Sequence, residues 1–222
     1  MSGAQAKPEH WMVSHPGFRG LYAVTPDDSD ITSLTRKVSR ALAGGARIVQ
    51  YRNKSASAEL RHEQGAALLA LCREAHIPLV INDDLDLARG ICADGLHVGR
   101  EDISIAAARA LLGQDRLLGA SCYDRLELAL AAREAGADYV AFGSAFPSAT
   151  KPGAARAPLS LYREAKGRLG LPVVAIGGIT TENAHSVIEA GADAVAVISA
   201  LFDAPDIEAT ARSFSRLFDR KP

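Results

Sequence analysis

Seven polar stretches along an otherwise apolar chain carry the residue types that could do chemistry. They are Gln50-Tyr51-Arg52-Asn53-Lys54, Asn82-Asp83-Asp84, Arg100-Glu101-Asp102, Ser121-Cys122-Tyr123-Asp124, Ser148-Ala149-Thr150-Lys151-Pro152, Gly177-Gly178-Ile179-Thr180 and Ser199. Arg52, Lys54 and Lys151, with the hydroxyls of Ser148 and Thr150, are types that converge on one acidic ligand, the cations supplying charge and the hydroxyls oriented donors. Asp83 and Asp102 are a candidate pair for a hard cation such as Mg²⁺, which is commonly held by two carboxylates together with waters and phosphate oxygens. Together the two sets suit a diphosphate held through a metal. Gly177-Gly178, with Ser199 across from it, suits a second phosphate, taken by bare backbone N–H groups that a ligand can approach closely.

Each stretch also has a plainer reading. Arg52 and Lys54 could be surface charges beside a strand, and Asp83-Asp84 could cap the next helix. Gly177-Gly178 could serve a tight strand exit, and 148–152 could be ordinary loop chemistry. His97, inside an apolar run, reads as a packed histidine, and Cys72, Cys92 and Cys122 read as small buried hydrophobes.

The elements that position these residues alternate along the chain. Eight short apolar runs appear at 20–25, 47–52, 78–83, 95–99, 117–122, 138–143, 172–177 and 194–199. Unbroken apolar runs of this length are typical of parallel strands buried on both faces. Between them lie Ala/Leu/Glu/Arg-rich stretches with helical periodicity, as in Leu126, Ala129, Leu130 and Arg133. Residues 20–219 divide into eight units of about 25, which favours an α/β (β/α)8 TIM barrel over an open doubly wound sheet. Ala43-Gly44-Gly45-Ala46, Ala135-Gly136-Ala137-Asp138 and Ala190-Gly191-Ala192-Asp193 each end a helix and lead into a strand, with glycine at the left-handed position. In such a barrel, chemistry sits at the C-terminal ends of the strands, where the seven stretches fall.

The remaining properties bound the answer. The 222 residues are read as one domain: a loose N-terminal tail at 1–17 and a catalytic barrel at 18–222. Net charge is −1, which argues against a nucleic-acid partner. No run is long and apolar enough to span a membrane, the first residues lack a signal-peptide core, and sparse cysteine fits a reducing compartment, so a cytoplasmic protein is expected. There is no P-loop, H-E-x-x-H or G-x-S-x-G motif, and no dinucleotide fingerprint in a first strand–helix unit. Oligomeric state is not legible, and a homodimer is compatible with the sequence.

The motifs Q-Y-R-x-K at 50–54, I-N-D-D at 81–84, D-G-L-H-V-G-R-E-D at 94–102, F-P-S-x-T-K-P at 146–152 and A-I-G-G-I at 175–179 occur in register. In that order the chain resembles the thiamine-phosphate synthase family from about residue 20 to 201. The resemblance implies a transferase that joins a hydroxymethylpyrimidine diphosphate to a thiazole phosphate, giving thiamine phosphate and pyrophosphate. Pyrophosphate would leave first, and the thiazole nitrogen would capture the pyrimidine-methyl cation. By the same resemblance Asp83 and Asp102 would bind Mg²⁺. Arg52, Lys54, Asn82 and Lys151 would hold the diphosphate, and Gln50 and Ser121 would meet the pyrimidine. Ser148 and Thr150 would contact the thiazole phosphate, with Gly178, Ile198 and Ser199 closing around it. Ser121 would also belong with Arg52, Lys54 and Lys151 among the catalytic residues. Three positions depart from the common family pattern: Ser148 where Thr is frequent, Asp84 where many members have Arg, and Cys122-Tyr123 where a small residue and His are frequent. Related thiazole tautomerases share the barrel but generally lack the lysine of Y-R-x-K and the intact x-T-K-P loop; this chain has Lys54, Thr150 and Lys151. A barrel that only bound thiazole phosphate would be expected to lose Asp83, Asp102 or Lys151.

Overall fold

Eight short strands pair in chain order and close on themselves, in a computed structural model that describes residues 18–147 and 156–219. The expected tail at 1–17 lies outside the described residues. The strands are β1 (Gly20–Val24), β2 (Ile48–Tyr51), β3 (Leu79–Asn82), β4 (Gly95–Val98), β5 (Leu117–Tyr123), β6 (Tyr139–Phe142), β7 (Val173–Ile176) and β8 (Ala194–Val197). All neighbours are parallel, and the last strand returns to the first through Gly20 opposite Ala194 and Ala23 opposite Val197. The helices are α1 (Ile31–Ala43), α2 (Ala58–Glu74), α3 (Leu85–Gly90), α4 (Ile105–Leu112), α5 (Leu126–Glu134), α6 (Leu159–Leu169), α7 (Ala184–Glu189), α8 (Ser199–Phe202) and α9 (Ile207–Arg216). This is the (β/α)8 barrel that the sequence pattern implies. No helix among the described residues is long and apolar enough to cross a membrane.

Alternation along each strand sorts side chains between two apolar layers. Leu21, Val49, Ile81, Leu96, Leu118, Val140, Ala175 and Val195 pack outward in the layer shared with the helices. Tyr22, Ile48, Val80, Leu117, Tyr139, Val174 and Ala194 form the inner layer. Because the period is two, the same register turns Gln50, Asn82, His97 and Ser121 toward the barrel interior and its C-terminal mouth.

Short polar side chains fix the helix ends, Asp84 of the 81–84 motif among them. Asp30, Ser57, Asp84, Ser104 and Asp206 each accept a backbone N–H of the first turn. At the other end, Gly45, Gly136 and Gly191 have positive φ, as the repeated Ala-Gly segments led one to expect. His76 and Cys92 occupy the same left-handed position without being glycine. Each closes the same turn, with Ile77 N–H donating to the Cys72 carbonyl and Ala93 N–H to the Ala88 carbonyl. Cys92 is exposed, which corrects the reading of all three cysteines as buried; Cys72 and Cys122 are buried.

On α5 the structure also shifts the expected stripe. Ala129 and Ala132 are the buried residues, while Leu126 and Leu130 are half-buried. The small side chains bring this helix close to the sheet, and the leucines pack at its flanks.

At the N-terminal rim an aspartate recurs before β4, β6 and β8. Asp94, Asp138 and Asp193 each accept the backbone N–H of a residue at the start of the preceding strand, Leu79, Leu118 and Val173, at 2.7–2.9 Å. Asp138 is also paired with the buried Arg109 at 2.7 Å, whose other nitrogens donate to the carbonyls of Gly113, Arg116 and Gly136. The C-terminal α9 latches onto α1: Arg40 pairs with Asp206 and Glu208, and the Ser215 hydroxyl lies 3.2 and 3.0 Å from the Gly44 and Gly45 carbonyls.

Candidate active site

One side of the mouth is built by the loops after β1, β2, β3 and β4. Thr25, just past β1, clamps Arg52 by its backbone: Arg52 N–H donates to Thr25 Oγ1 (2.9 Å) and the hydroxyl donates to the Arg52 carbonyl (2.8 Å). Asp27 then accepts from the Arg52 guanidinium at 3.1 Å and from the Lys54 backbone N–H at 3.1 Å. A single carboxylate therefore orients both basic residues of the 50–54 motif. The Lys54 ammonium lies 3.5 Å from Asp83.

Asp83 and Asp84 have separate jobs. Asp84 caps α3 by accepting the Leu87 N–H at 2.9 Å, as its plainer reading holds. Asp83 instead sits at φ +63° with its N–H donated to the His97 carbonyl, and its side chain comes within hydrogen-bonding reach of Asn82 and Asp102. Left-handed backbone costs a non-glycine residue about 1–2 kcal/mol. Burial raises the Asp83 pKa, the neighbouring Asp102 carboxylate raises it further, and Lys54 pulls it back. Asp102 is steadied by the Gly99 N–H at 2.7 Å.

Two carboxylates that repel each other at the mouth form a hard-oxygen donor set. Among the described residues no group of three or more His, Cys, Asp or Glu could hold a metal. A closed protein cage is therefore absent there, and the pair fits a cation that draws its other ligands from water and substrate oxygens. Beside it opens a cavity of about 370 Å³, bordered by Asn53, Lys54, Arg61, Asn82, Asp83 and Asp84. It lies over β2 and β3, and Gln50 and Ser121 do not line it.

A second group occupies the barrel interior. Gln50 Nε2 donates to the Tyr22 hydroxyl at 2.9 Å, which lies 2.7 Å from the Tyr139 hydroxyl. Tyr139 is 3.0 Å from His97 Nδ1, and His97 Nε2 is 2.9 Å from the Ser121 hydroxyl. His97 is thus packed, as expected, and bonded at both nitrogens; burial pushes its pKa down to about 4. Burial likewise raises the phenol pKa values of Tyr22 and Tyr139. Gly119 makes room for this contact, since a Cβ there would collide with Tyr139 and His97. Sequence reading missed Tyr22, Tyr139 and Asp27. The available signal for the tyrosines was a phenol inside an apolar strand, where a buried hydroxyl needs a partner.

On the opposite side stand the ends of β7 and β8. Gly178 has φ +65°, and its missing Cβ would strike the Phe146 and Pro147 carbonyls. The close approach that requires glycine here is therefore made by the chain's own β6 loop. Ile198 is half-buried against the inner layer, and Ser199 is exposed at the start of α8. Ser148, Thr150 and Lys151 lie outside the described residues. Past that segment, Ala157 is buried and donates its N–H to the Ser144 carbonyl at 3.0 Å.

The structure thus joins Arg52, Lys54, Asn82, Asp83 and Asp102 on one flank, and links Gln50 to Ser121 through the interior. Comparison with known proteins covers nearly the same span. The family model described as thiamine monophosphate synthase matches residues 21–201. The thiamine-phosphate synthase of Methylobacillus flagellatus is 56% identical over 206 residues, covering 93% of this chain and 98% of the relative. That of Thiobacillus denitrificans is 54% identical over 211 residues, covering 95% and 99%. Among solved structures, the thiamine phosphate pyrophosphorylase of Pyrococcus furiosus superimposes with a TM-score of 0.83 at 34% identity, over 93% of this chain and 98% of that one.

Proposed function

The chain belongs to the thiamine monophosphate synthase family, and from that premise we propose how its barrel mouth divides the family's reaction among residues. That reaction joins 4-amino-2-methyl-5-hydroxymethylpyrimidine diphosphate to 4-methyl-5-(2-phosphoethyl)thiazole, giving thiamine phosphate and pyrophosphate. The enzyme is a transferase of a non-methyl alkyl group acting on small molecules. As a biosynthetic enzyme it is assigned to the cytoplasm.

Asp83 and Asp102 would hold Mg²⁺, whose charge neutralises diphosphate oxygens when it is bound. Arg52, Lys54 and Asn82 bind the diphosphate, with Lys151 completing the set from the loop after β6. The charges of Arg52, Lys54 and Lys151 face the leaving group as its own charge develops, which is where preorganised electrostatics gains most. Asp27 holds Arg52 in place before the substrate arrives, so little reorganisation is left for the reacting complex. Gln50 and Ser121 orient the pyrimidine from the interior. Ser148, Thr150, Gly178, Ile198 and Ser199 receive the thiazole phosphate on the opposite side. Departure of pyrophosphate leaves a pyrimidine-methyl cation, and the thiazole nitrogen captures it. That nitrogen carries no proton, so the mechanism needs no general base.

The observation that carries this division is the placement of Lys54 3.5 Å from Asp83, itself within reach of Asp102, on the flank of the mouth where Asp27 fixes Arg52. The test is pyrophosphate release from the pyrimidine diphosphate, with and without thiazole phosphate and Mg²⁺. Release that depends on both, with thiamine phosphate formed, is the expected result. Metal-independent isomerisation of a thiazole phosphate, with no release, would overturn it.

A further inference from the structure

We infer that Arg61, from the first turn of α2, is a further residue of the diphosphate site. Its guanidinium takes oxygens of the phosphoryl group farthest from the pyrimidine, and holds the same group in released pyrophosphate. The inference rests on the assignment of the diphosphate to the flank of Lys54, Asn82 and Asp83.

Arg61 borders the cavity of about 370 Å³ together with those three residues. A cavity of that size lies in the range of small-ligand sites. Its wall carries two ion pairs side by side, on carboxylates adjacent in the chain. Lys54 lies 3.5 Å from Asp83, and Arg61 Nε lies 3.6 Å from Asp84 Oδ2. Both separations are charge contacts too long for a good hydrogen bond, so neither cation is committed to its carboxylate.

Most of the donors of Arg61 are unspent. A guanidinium carries five N–H groups in a fixed fork. Nη1 donates to the Ala56 carbonyl at 3.1 Å, which ties the side chain to the loop between β2 and α2. Nη2 meets no acceptor within hydrogen-bonding distance among the described residues. Among those residues Nε is the one buried side-chain nitrogen without a hydrogen-bond partner. Buried donors are nearly always paired, so an orphaned one in the wall of a cavity calls for an acceptor.

Charge gives the arginine a second reason to stand here. Asp84 spends Oδ1 on the Leu87 N–H at 2.9 Å, and its carboxylate still borders the cavity. Alone, that charge would repel a diphosphate. Arg61 cancels it and presents a planar fork that matches two oxygens of one phosphoryl group.

The experiment measures the affinity for inorganic pyrophosphate by calorimetry at fixed Mg²⁺, and KM for both substrates. It uses the full-length enzyme, Arg61→Gln, Arg61→Lys and the control Arg212→Gln. Arg212 pairs with Glu208 on α9 and does not border the cavity, so its loss reports on net charge alone. Arg61→Gln is expected to weaken pyrophosphate binding and raise KM for the pyrimidine diphosphate, each by about tenfold or more, the scale of a lost hydrogen bond to a charged group. KM for thiazole phosphate should not change. Arg61→Lys keeps the charge without the fork and should recover part of the loss. Unchanged pyrophosphate affinity in Arg61→Gln would make Arg61 a strut between α2 and α3 and overturn the inference. An equal loss in Arg212→Gln, or an equal rise in KM for thiazole phosphate, would overturn it as well. If the glutamine variant does not fold, Arg61→Lys carries the test, with a severalfold weaker affinity expected and an unchanged one decisive against. Failure of the underlying assignment reads differently: Lys54→Gln would then leave pyrophosphate affinity unchanged too.

Discussion

Asp102 carries two tasks at once, accepting the Gly99 N–H through one oxygen and lying beside Asp83 on the same flank of the mouth. Truncation to alanine would disturb both, so the informative change is Asp102→Asn, which keeps an acceptor for the loop and removes the charge. Turnover with Mg²⁺ is expected to fall on the order of 10²- to 10³-fold, the scale of a lost metal ligand in a charge-stabilised step. The melting temperature of the metal-free protein should hold or rise, because the repulsion that raises the Asp83 pKa is relieved. Unchanged Mg²⁺-dependent turnover would remove Asp102 from the proposed metal site. Asp27 shows what sequence reading overlooks at this scale. It sits in an ordinary polar loop, and only the structure shows one carboxylate joining Arg52 to the backbone of Lys54.

The strand–helix units repeat a common ending, and two of them end on the wrong residue type. Cys92 takes a left-handed conformation at φ +56° with its side chain exposed, so replacement by glycine removes backbone strain and sacrifices no packing. The strain of about 1–2 kcal/mol exceeds the 0.5–1 kcal/mol that glycine's flexibility costs. Cys92→Gly should therefore stabilise by about 0.5–1 kcal/mol and raise Tm by about 2 °C, read by thermal melts. A lower Tm would mean that the thiol makes a contact worth more than the strain. The elements themselves were legible because parallel strands buried on both faces leave continuous apolar runs, and each observed strand falls within one of those runs or a residue beyond it. The interior chain was not legible. It depends on the register that sets Tyr22 against Tyr139, 117 residues apart, and a tyrosine within an apolar run looks like core.

At the scale of the molecule, the barrel is closed by its two ends. The last strand pairs with the first, and α9 lies over the junction with Ala211 and Glu208 against Gly44, so close that a Cβ on Gly44 would collide with both. Deletion of residues 206–219 would uncover this packing and strip Arg40 of both acidic partners. The shortened chain should melt well below the full one and bind a hydrophobic dye; an unchanged melt would make α9 dispensable. The pairing of β1 with β8 also bears on how the protein comes off the ribosome. About 170 residues separate Val24 from Ala194. At 5–20 residues per second, the first strand waits roughly ten to thirty-five seconds for its final partner to be made. Through that interval its outer edge is an open template for other nascent chains. Yield in the cell should then depend on translation speed and chaperone supply more than on the stability of the finished enzyme.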